Sequence, residues 1–285
     1  MAGFIFDFNG TLFADADKQE ISWRRFARDY ANKELSDQEF DDHVHGQNAE
    51  LTLNYLFDRQ LTRTEVNDYS ERKEKIYRNL CQADTDRFHL LQGAPEFLDE
   101  LRRANVPMTI ATASAKKNVD FFFEAFGLSR WFDMKQVIYD DGTMKSKPDP
   151  DPFLRAALKL ELRPEQTVIF EDSPSGFGAA KAAGAKCIVG VVTNHNRAVL
   201  EKDSRLTLVI DDYLEIPMSK IKQAYKLGVL LRFVSISFKQ HVICTFERFH
   251  LREQVFQAKV LATEDLFLYA CTEINAKVRL RISII

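Results

Sequence analysis

The chain has 285 residues, is 45 % hydrophobic and 28 % charged, and carries a formal net charge of -3. That length and balance suit one large or two modest soluble domains with a real core, and they argue against a broad basic surface for nucleic acid. Four scattered cysteines (Cys81, Cys187, Cys244, Cys271) have no metal or redox spacing and read as the reduced thiols of a cytoplasmic protein. The opening Met1-Ala2-Gly3 lacks the basic start of a secretory signal, and no run of 18 apolar residues marks a membrane span.

Residues 3–8 form a nearly continuous apolar run broken by one carboxylate, Asp7, as in a strand buried on both faces. Gly10 and Thr11 then turn the chain into a loop. Residues 17–80 contain no Pro and a single Gly, Gly46. Apolar residues three and four apart, from Ile21 to Ala27 and from Leu51 to Phe57, mark amphipathic helices, so 17–85 is expected to be a small helical insertion. After Gly93 the pattern alternates: helix 94–104, strand 106–111, helix 115–126, strand 136–139, helix 149–160, strand 167–170, helix 175–183, strand 187–192, helix 195–202 and strand 206–210. Strands separated by helices of this length predict an α/β fold, a doubly wound parallel sheet with a Rossmann-like core. The pattern ends near Pro217. Residues 221–285 hold ten Lys/Arg against five Asp/Glu and show no clean helical or strand period. This tail, of unclear structure, reads as a peripheral appendage or an over-extended reading frame. The expected organisation is a core of 1–16 and 86–218, the helical segment 17–85, and an extension 219–285.

Ligands of such sheets bind at the carboxyl ends of the strands, and four features fall there. Asp7 ends the first strand and leads into Asn9-Gly10-Thr11. Thr112 follows Met108-Thr109-Ile110-Ala111, where a hydroxyl and free amides suit a phosphate oxygen. Ser114 is expected to cap the next helix. Lys147 stands before Pro148 as a localised positive charge. Glu171-Asp172 follow the strand 167–170, and adjacent carboxylates there suit a cation with oxygen ligands, such as Mg²⁺.

The order and spacing of these features resemble the haloacid-dehalogenase-like hydrolase superfamily. Lys147-Pro148-Asp149-Pro150-Asp151 and Glu171-Asp172-Ser173-Pro174-Ser175-Gly176 resemble its beta-phosphoglucomutase and phosphoglycolate phosphatase subgroup, which inserts a helical cap where 17–85 lies. The resemblance covers residues 3–216. It implies a Mg²⁺-dependent phosphatase of a small phosphorylated metabolite, a monomer or homodimer with no nucleic-acid or membrane partner. Asp7 would be the nucleophile and form an aspartyl-phosphate. Asp7, the Asn9 backbone carbonyl, Asp172 and Glu171 would surround the metal. Thr112, Ala113 and Lys147 would hold the phosphoryl oxygens. Gly46, Gln47 and Ser114, and the polar residues Asn48, Arg72 and Lys73, are candidates for substrate contact.

One position departs from the family pattern. Hydrolytic members place a second Asp where this chain has Asn9, and an amide cannot exchange a proton near neutral pH. General acid–base help is typically worth about 10²–10⁴ in rate. A slow phosphatase, or one suited to good leaving groups, is therefore expected, with a weak phosphometabolite-binding protein or a sugar-phosphate mutase as alternatives. Restoring Asp at position 9 is expected to raise turnover. His43 and His45 are substitute proton donors by type, although a solvated helix end also explains them.

Overall fold

The computed structural model describes residues 2–44, 48–193, 197–216, 242–248 and 278–284. Two compact units divide the chain, Met1–Phe233 and Val234–Ile285.

In the first unit, β1 (Gly3–Phe6) is buried along its whole length. Its alternation splits two hydrophobic layers. Phe4 and Phe6 point into a cluster with Phe97, Phe170 and Tyr213, whereas Ile5 joins Ala111, Ile169 and Phe177 on the opposite face. The Phe6 and Phe170 rings stack at 4.8 Å. Burying each such ring contributes roughly 1.5–3 kcal/mol, so the strand that delivers Asp7 is held from both sides.

After a helical segment described below, the unit continues with α5 (Ala94–Arg103), β2 (Met108–Ala115), α6 (Lys116–Phe126), β3 (Ile138–Asp140), α7 (Asp151–Lys159), β4 (Thr167–Glu171), α8 (Pro174–Ala183), β5 (Cys187–Val191), α9 (Arg197–Leu200) and β6 (Leu208–Ile210). The six strands are parallel, in the order β3-β2-β1-β4-β5-β6. This is the expected doubly wound, Rossmann-like sheet. The chain winds one way from β1 through β2 and β3, then crosses back to β4 on the other side of β1. That reversal opens a crevice at the carboxyl end of β1.

Several boundaries differ from expectation. β1 ends at Phe6, so Asp7 is the first residue beyond it, although its N–H still donates to the Phe170 carbonyl at 2.9 Å. β2 does not stop at Ala111 but runs to Ala115, with its pairing to β3 irregular between those residues. Thr112, Ala113 and Ser114 therefore lie on the strand rather than after it. Ser114 is not the helix cap: α6 starts at Lys116 with Ala115 in the capping position and no side-chain cap. α7 starts at Asp151 because the Asp149 carboxylate accepts from the Asp151 N–H at 3.0 Å and holds the preceding residues in a turn.

Between β1 and α5 the chain forms α1 (Ala16–Ala31), α2 (Asp37–His43), α3 (Ala49–Leu56) and α4 (Arg63–Ala83). These helices have their own core of Phe26, Ala27, Leu35, Val44, Leu53, Leu56 and Leu61. Reciprocal capping by Ser36 with Glu39 and by Thr62 with Glu65 fixes the starts of α2 and α4.

In the second unit β7 (Val242–Arg248) pairs antiparallel with β8 (Val278–Ile284), Val242 opposite Ile284 and Arg248 opposite Val278. This overturns the expectation that 221–285 lack a strand period. Val278-Arg279-Leu280-Arg281-Ile282-Ser283-Ile284 alternates apolar and polar residues at every step, a period of two that suits a strand. Among the described residues no helix is long and apolar enough to cross a membrane.

Candidate active site

The carboxyl ends of β1 and β4 meet the segment before α7, which brings Lys147 to Asp7 across 140 residues. Lys147 Nζ donates to Asp7 Oδ1 at 2.6 Å and to Glu171 Oε1 at 2.5 Å. All three side chains are nearly buried. The other Glu171 oxygen, Oε2, accepts from the backbone N–H groups of Asp172 and Ser173, each at 2.7 Å, and from the Ser173 hydroxyl at 3.0 Å. Glu171 thus ends β4 with its carboxylate folded over the turn into α8, where free N–H groups favour an anion. Ser173 caps that helix by accepting from Gly176 N at 3.1 Å. Gly176 is needed for close approach, since an added Cβ would fall 1.9 Å from the Glu171 carboxylate carbon.

Asp172 completes the group. Asp7, Glu171 and Asp172 each offer a carboxylate oxygen within 4.8 Å of the others. Three buried acids against one lysine leave unbalanced negative charge, and an all-oxygen donor set fits a hard divalent cation such as Mg²⁺. The loop after Asp7 wraps the same spot. Thr11 Oγ1 donates to Asp172 Oδ1 at 3.4 Å, and Thr193 Oγ1 donates to the Gly10 carbonyl at 2.6 Å. Gly10 has φ +75°, and a Cβ there would lie 2.0 Å from Asp172 Oδ2.

The β1–β2 register, with Phe6 level with Ile110, sets Thr112 two residues further along, toward the same end of the sheet. Thr112 is buried, and its hydroxyl accepts from the Ser114 N–H at 3.1 Å. Ala113 beside it is exposed. Ser114 Oγ donates to Asn9 Oδ1 at 2.7 Å, which ties β2 to the loop.

The family model for haloacid dehalogenase-like hydrolases matches residues 4–191. The chain belongs to that family. Among its relatives within this family of hydrolases is the phosphorylated carbohydrates phosphatase of Thermotoga maritima, 26 % identical over 207 residues, covering 70 % of this chain and 91 % of the relative. The beta-phosphoglucomutase of Bacillus subtilis is 27 % identical over 190 residues, covering 65 % and 80 % respectively. A crystal structure of a family IA, variant 3 hydrolase from Entamoeba histolytica superimposes with a TM-score of 0.72 at 31 % identity, covering 79 % of this chain and all of that one. The chain is thus a phosphohydrolase of the haloacid dehalogenase-like kind, in the phosphoglucomutase- and phosphatase-like subgroup.

The expected substrate contacts separate. Gly46, Gln47 and His45 lie outside the described residues. Asn48 is engaged as the cap of α3, accepting from Leu51 N at 2.9 Å. Arg72 pairs with Asp68 at 2.9 Å on the exposed face of α4. Lys73 is only 2 % exposed and donates to Gln19 Oε1 at 2.5 Å and Glu74 Oε1 at 3.0 Å. These three side chains bond within the protein, because each had a local partner that its residue type alone did not reveal. His43 ends α2 exposed, stacked on Tyr55 at 3.8 Å.

Sequence reasoning passed over Asp15. An Asp just before a helix has a ready explanation as a cap. Its carboxylate makes no such bond and instead accepts from Asn9 Nδ2 at 2.7 Å and from Tyr77 OH at 2.6 Å. A signal was present in the sequence: an acid six residues beyond the amide at position 9, after the apolar pair Leu12-Phe13.

The electrostatics of the acid cluster predict a pH effect. Burial pushes the Asp7 carboxyl from its usual 3.8 up to about 7, partly opposed by Lys147 and reinforced by the negative charge of Glu171. Burial, then Glu171 and Asp7, move Asp172 the same way. A carboxyl whose pKa is raised by folding binds protons more tightly in the native than in the unfolded state, so its contribution to stability falls as pH rises toward the folded pKa. The metal-free protein is therefore expected to lose thermal stability between pH 5 and pH 8. Mg²⁺ should raise the unfolding midpoint more at pH 8 than at pH 5.5. Thermal scans at both pH values, with EDTA or with Mg²⁺, check this.

Proposed function

We propose that the protein is a Mg²⁺-dependent phosphatase that acts on a small phosphorylated metabolite through an aspartyl-phosphate on Asp7. The observation that carries this reading is the bridge from Lys147 Nζ to Asp7 Oδ1 and Glu171 Oε1 beside Asp172, all at the switch point of the sheet. Its kinship to a phosphorylated carbohydrates phosphatase supports a sugar-phosphate-like substrate. The helices of 16–83 then serve as the cap that chooses it.

Asp7 Oδ attacks phosphorus, the bond from phosphorus to the ester oxygen breaks, and the leaving alkoxide takes its proton from solvent. Water then attacks the acyl phosphate and its proton passes to the departing phosphate, which returns Asp7 as a carboxylate. Lys147 balances charge on the phosphoryl oxygens as it develops. Glu171 holds Lys147 in place through Oε1 while the turn into α8 holds Oε2. Thr112 and the backbone at Ala113 offer further donors to the phosphoryl group. Asp7, Asp172 and the Asn9 carbonyl, with Glu171 at the edge, would hold Mg²⁺, which when bound supplies positive charge to the transferring phosphoryl group. The Asn9 side chain transfers no proton, so good leaving groups are favoured. Cys81 and Cys187 are buried and form no disulfide, which suits a reducing cytoplasm.

The experiment is hydrolysis of p-nitrophenyl phosphate, acetyl phosphate and a panel of sugar phosphates, with Mg²⁺ and with EDTA. Turnover that needs Mg²⁺ and is fastest on acyl and aryl phosphates is the expected result, and equal rates in EDTA would refute the metal requirement. A second reading, a phosphometabolite-binding protein with negligible turnover, draws on one observation: both polar ends of the Asn9 amide are already bonded within the protein. It predicts Mg²⁺-dependent binding of phosphate without hydrolysis in the same panel.

A further inference from the structure

A buried carbonyl needs a donor, and in the loop after Asp7 the carbonyls of Gly10, Thr11, Leu12 and Phe13 each have one. The Leu12 carbonyl accepts from Leu91 N at 2.8 Å and the Phe13 carbonyl from Gly10 N at 2.7 Å. The other two depend on side chains from far along the chain. Thr193 Oγ1, just past β5, donates to the Gly10 carbonyl at 2.6 Å across 183 residues. Tyr213 OH donates to the Thr11 carbonyl at 3.0 Å across 202 residues. Asn9, next to these four, is half-buried, and its carbonyl has no donor among the described residues.

Tyr213 opens the turn Tyr213–Glu215 that follows β6. It is 2 % exposed. Its ring stacks on Phe170 with centroids 5.6 Å apart and lies 5.5 Å from Phe97, and its N–H donates to the Gln92 carbonyl at 3.0 Å. The ring is thus fixed on an aromatic wall, with the hydroxyl as its polar tip. Packing alone would accept phenylalanine here. The hydroxyl serves the loop instead. Burial, then the charges of Asp7 and Asp172, hold the phenol well above its ordinary range, so it keeps its proton and stays a donor.

We propose that Tyr213 is a positioning residue of the metal site, whose hydroxyl fixes the Thr11 peptide and so leaves the Asn9 carbonyl as the loop's main-chain oxygen for a divalent cation. This deepens the Mg²⁺-dependent phosphatase reading and rests on it. Thr11 reaches the acid cluster by its other end, where Oγ1 donates to Asp172 Oδ1 at 3.4 Å. Gly10 beside it packs so closely that an added Cβ would lie 2.0 Å from Asp172 Oδ2. A loop in that contact has no slack. Without the phenol the Thr11 carbonyl becomes a buried acceptor with no partner, and the loop regains one only by shifting against Asp172. Thr193 holds the Gly10 carbonyl in the same manner but is half-buried, where solvent can stand in for its hydroxyl.

The test compares full-length wild type, Tyr213→Phe and Val209→Ala. Val209 on β6 packs in the hydrophobic layer on the opposite face of the sheet and controls for lost stability. Mg²⁺ binding is measured by calorimetry and by the rise in unfolding midpoint that Mg²⁺ gives, and turnover with p-nitrophenyl phosphate. Tyr213→Phe is expected to weaken Mg²⁺ binding about tenfold, the scale for losing a group that orients a metal ligand. Half-maximal turnover should need correspondingly more Mg²⁺, while KM for p-nitrophenyl phosphate at saturating Mg²⁺ stays within about twofold. Val209→Ala should unfold earlier in EDTA and keep the wild-type affinity for Mg²⁺. A Tyr213→Phe variant that binds Mg²⁺ as the wild type does, or a loss that Val209→Ala reproduces, overturns the proposal. A wild type that binds Mg²⁺ but hydrolyses no phosphate ester sinks the proposed activity alone, and the three affinities still decide the role of Tyr213. A wild type that binds no Mg²⁺ overturns both.

Discussion

Asp7→Asn is expected to reduce Mg²⁺-dependent turnover of p-nitrophenyl phosphate at least about 10³-fold, the scale seen when a nucleophile is removed from an enzyme that works by covalent catalysis. Asp7 is 6 % exposed, is the first residue past β1, and is gripped by Lys147 at 2.6 Å. The amide keeps the shape but lacks the anionic oxygen that attacks phosphorus in the proposed mechanism. Acid quench during turnover of the wild type should trap an acyl phosphate, and the variant should trap none. Stability separates this loss from misfolding. Burial and Glu171 hold the Asp7 carboxyl well above its usual range, so neutralising it removes a charge the fold disfavours. The variant without metal is expected to unfold no earlier than the wild type at pH 8. Retention of the wild-type rate would show that another group attacks phosphorus.

Lys147→Met carries the second large effect, and it falls on both stability and rate. The ammonium is the cation that the structure sets between Asp7 and Glu171. Removing one partner of a buried ion pair typically costs about 3–5 kcal/mol, because the charge left behind has no compensation. Methionine fills a similar volume, so the loss reports charge rather than a cavity. The defect should shrink at pH 5, where Asp7 takes up a proton, and shrink also when Mg²⁺ supplies positive charge at neutral pH. Thermal unfolding at the two pH values, with and without Mg²⁺, measures this. Turnover should fall about 10²–10³-fold, the usual scale for losing one group that stabilises transition-state charge. A variant as stable as the wild type at pH 8 in EDTA would mean that the three carboxylates do not depend on Lys147.

The site was legible because each of its chief members ends or follows an apolar run. Phe4 to Phe6 and Thr167 to Phe170 announce buried strands locally, and Asp7, Glu171 and Asp172 follow directly from where those runs stop. Lys147 was legible through its rigid setting before Pro148. The apolar run before Thr112 ends the strand at Ala111, whereas β2 continues to Ala115 through an irregular pairing that no local pattern encodes. Ser114 was assigned to the helix behind it when its hydroxyl serves the loop in front of it. Lys73 looked like a residue for substrate and proved to be tied to Gln19 and Glu74. The strand pair in the second unit was missed although Val278–Ile284 carries a plain period of two.

By itself the sequence determined the order of strands and helices, the doubly wound sheet that follows from their alternation, and the chemical types gathered at the strand ends. These are properties of short windows, where hydrophobic period and chain breaks decide the outcome. The tertiary structure alone decided who holds whom. Asn9 meets Tyr77 across 68 residues and Ser114 across 105, and Lys147 reaches Asp7 across 140. Hydrogen bonds of that span depend on sheet register and on the packing of α1 and α4, neither of which a local window contains. Asn9 appeared in the sequence as a missing acid. In the fold it is one half of a buried amide–carboxylate pair whose other half, Asp15, lies at 2.7 Å.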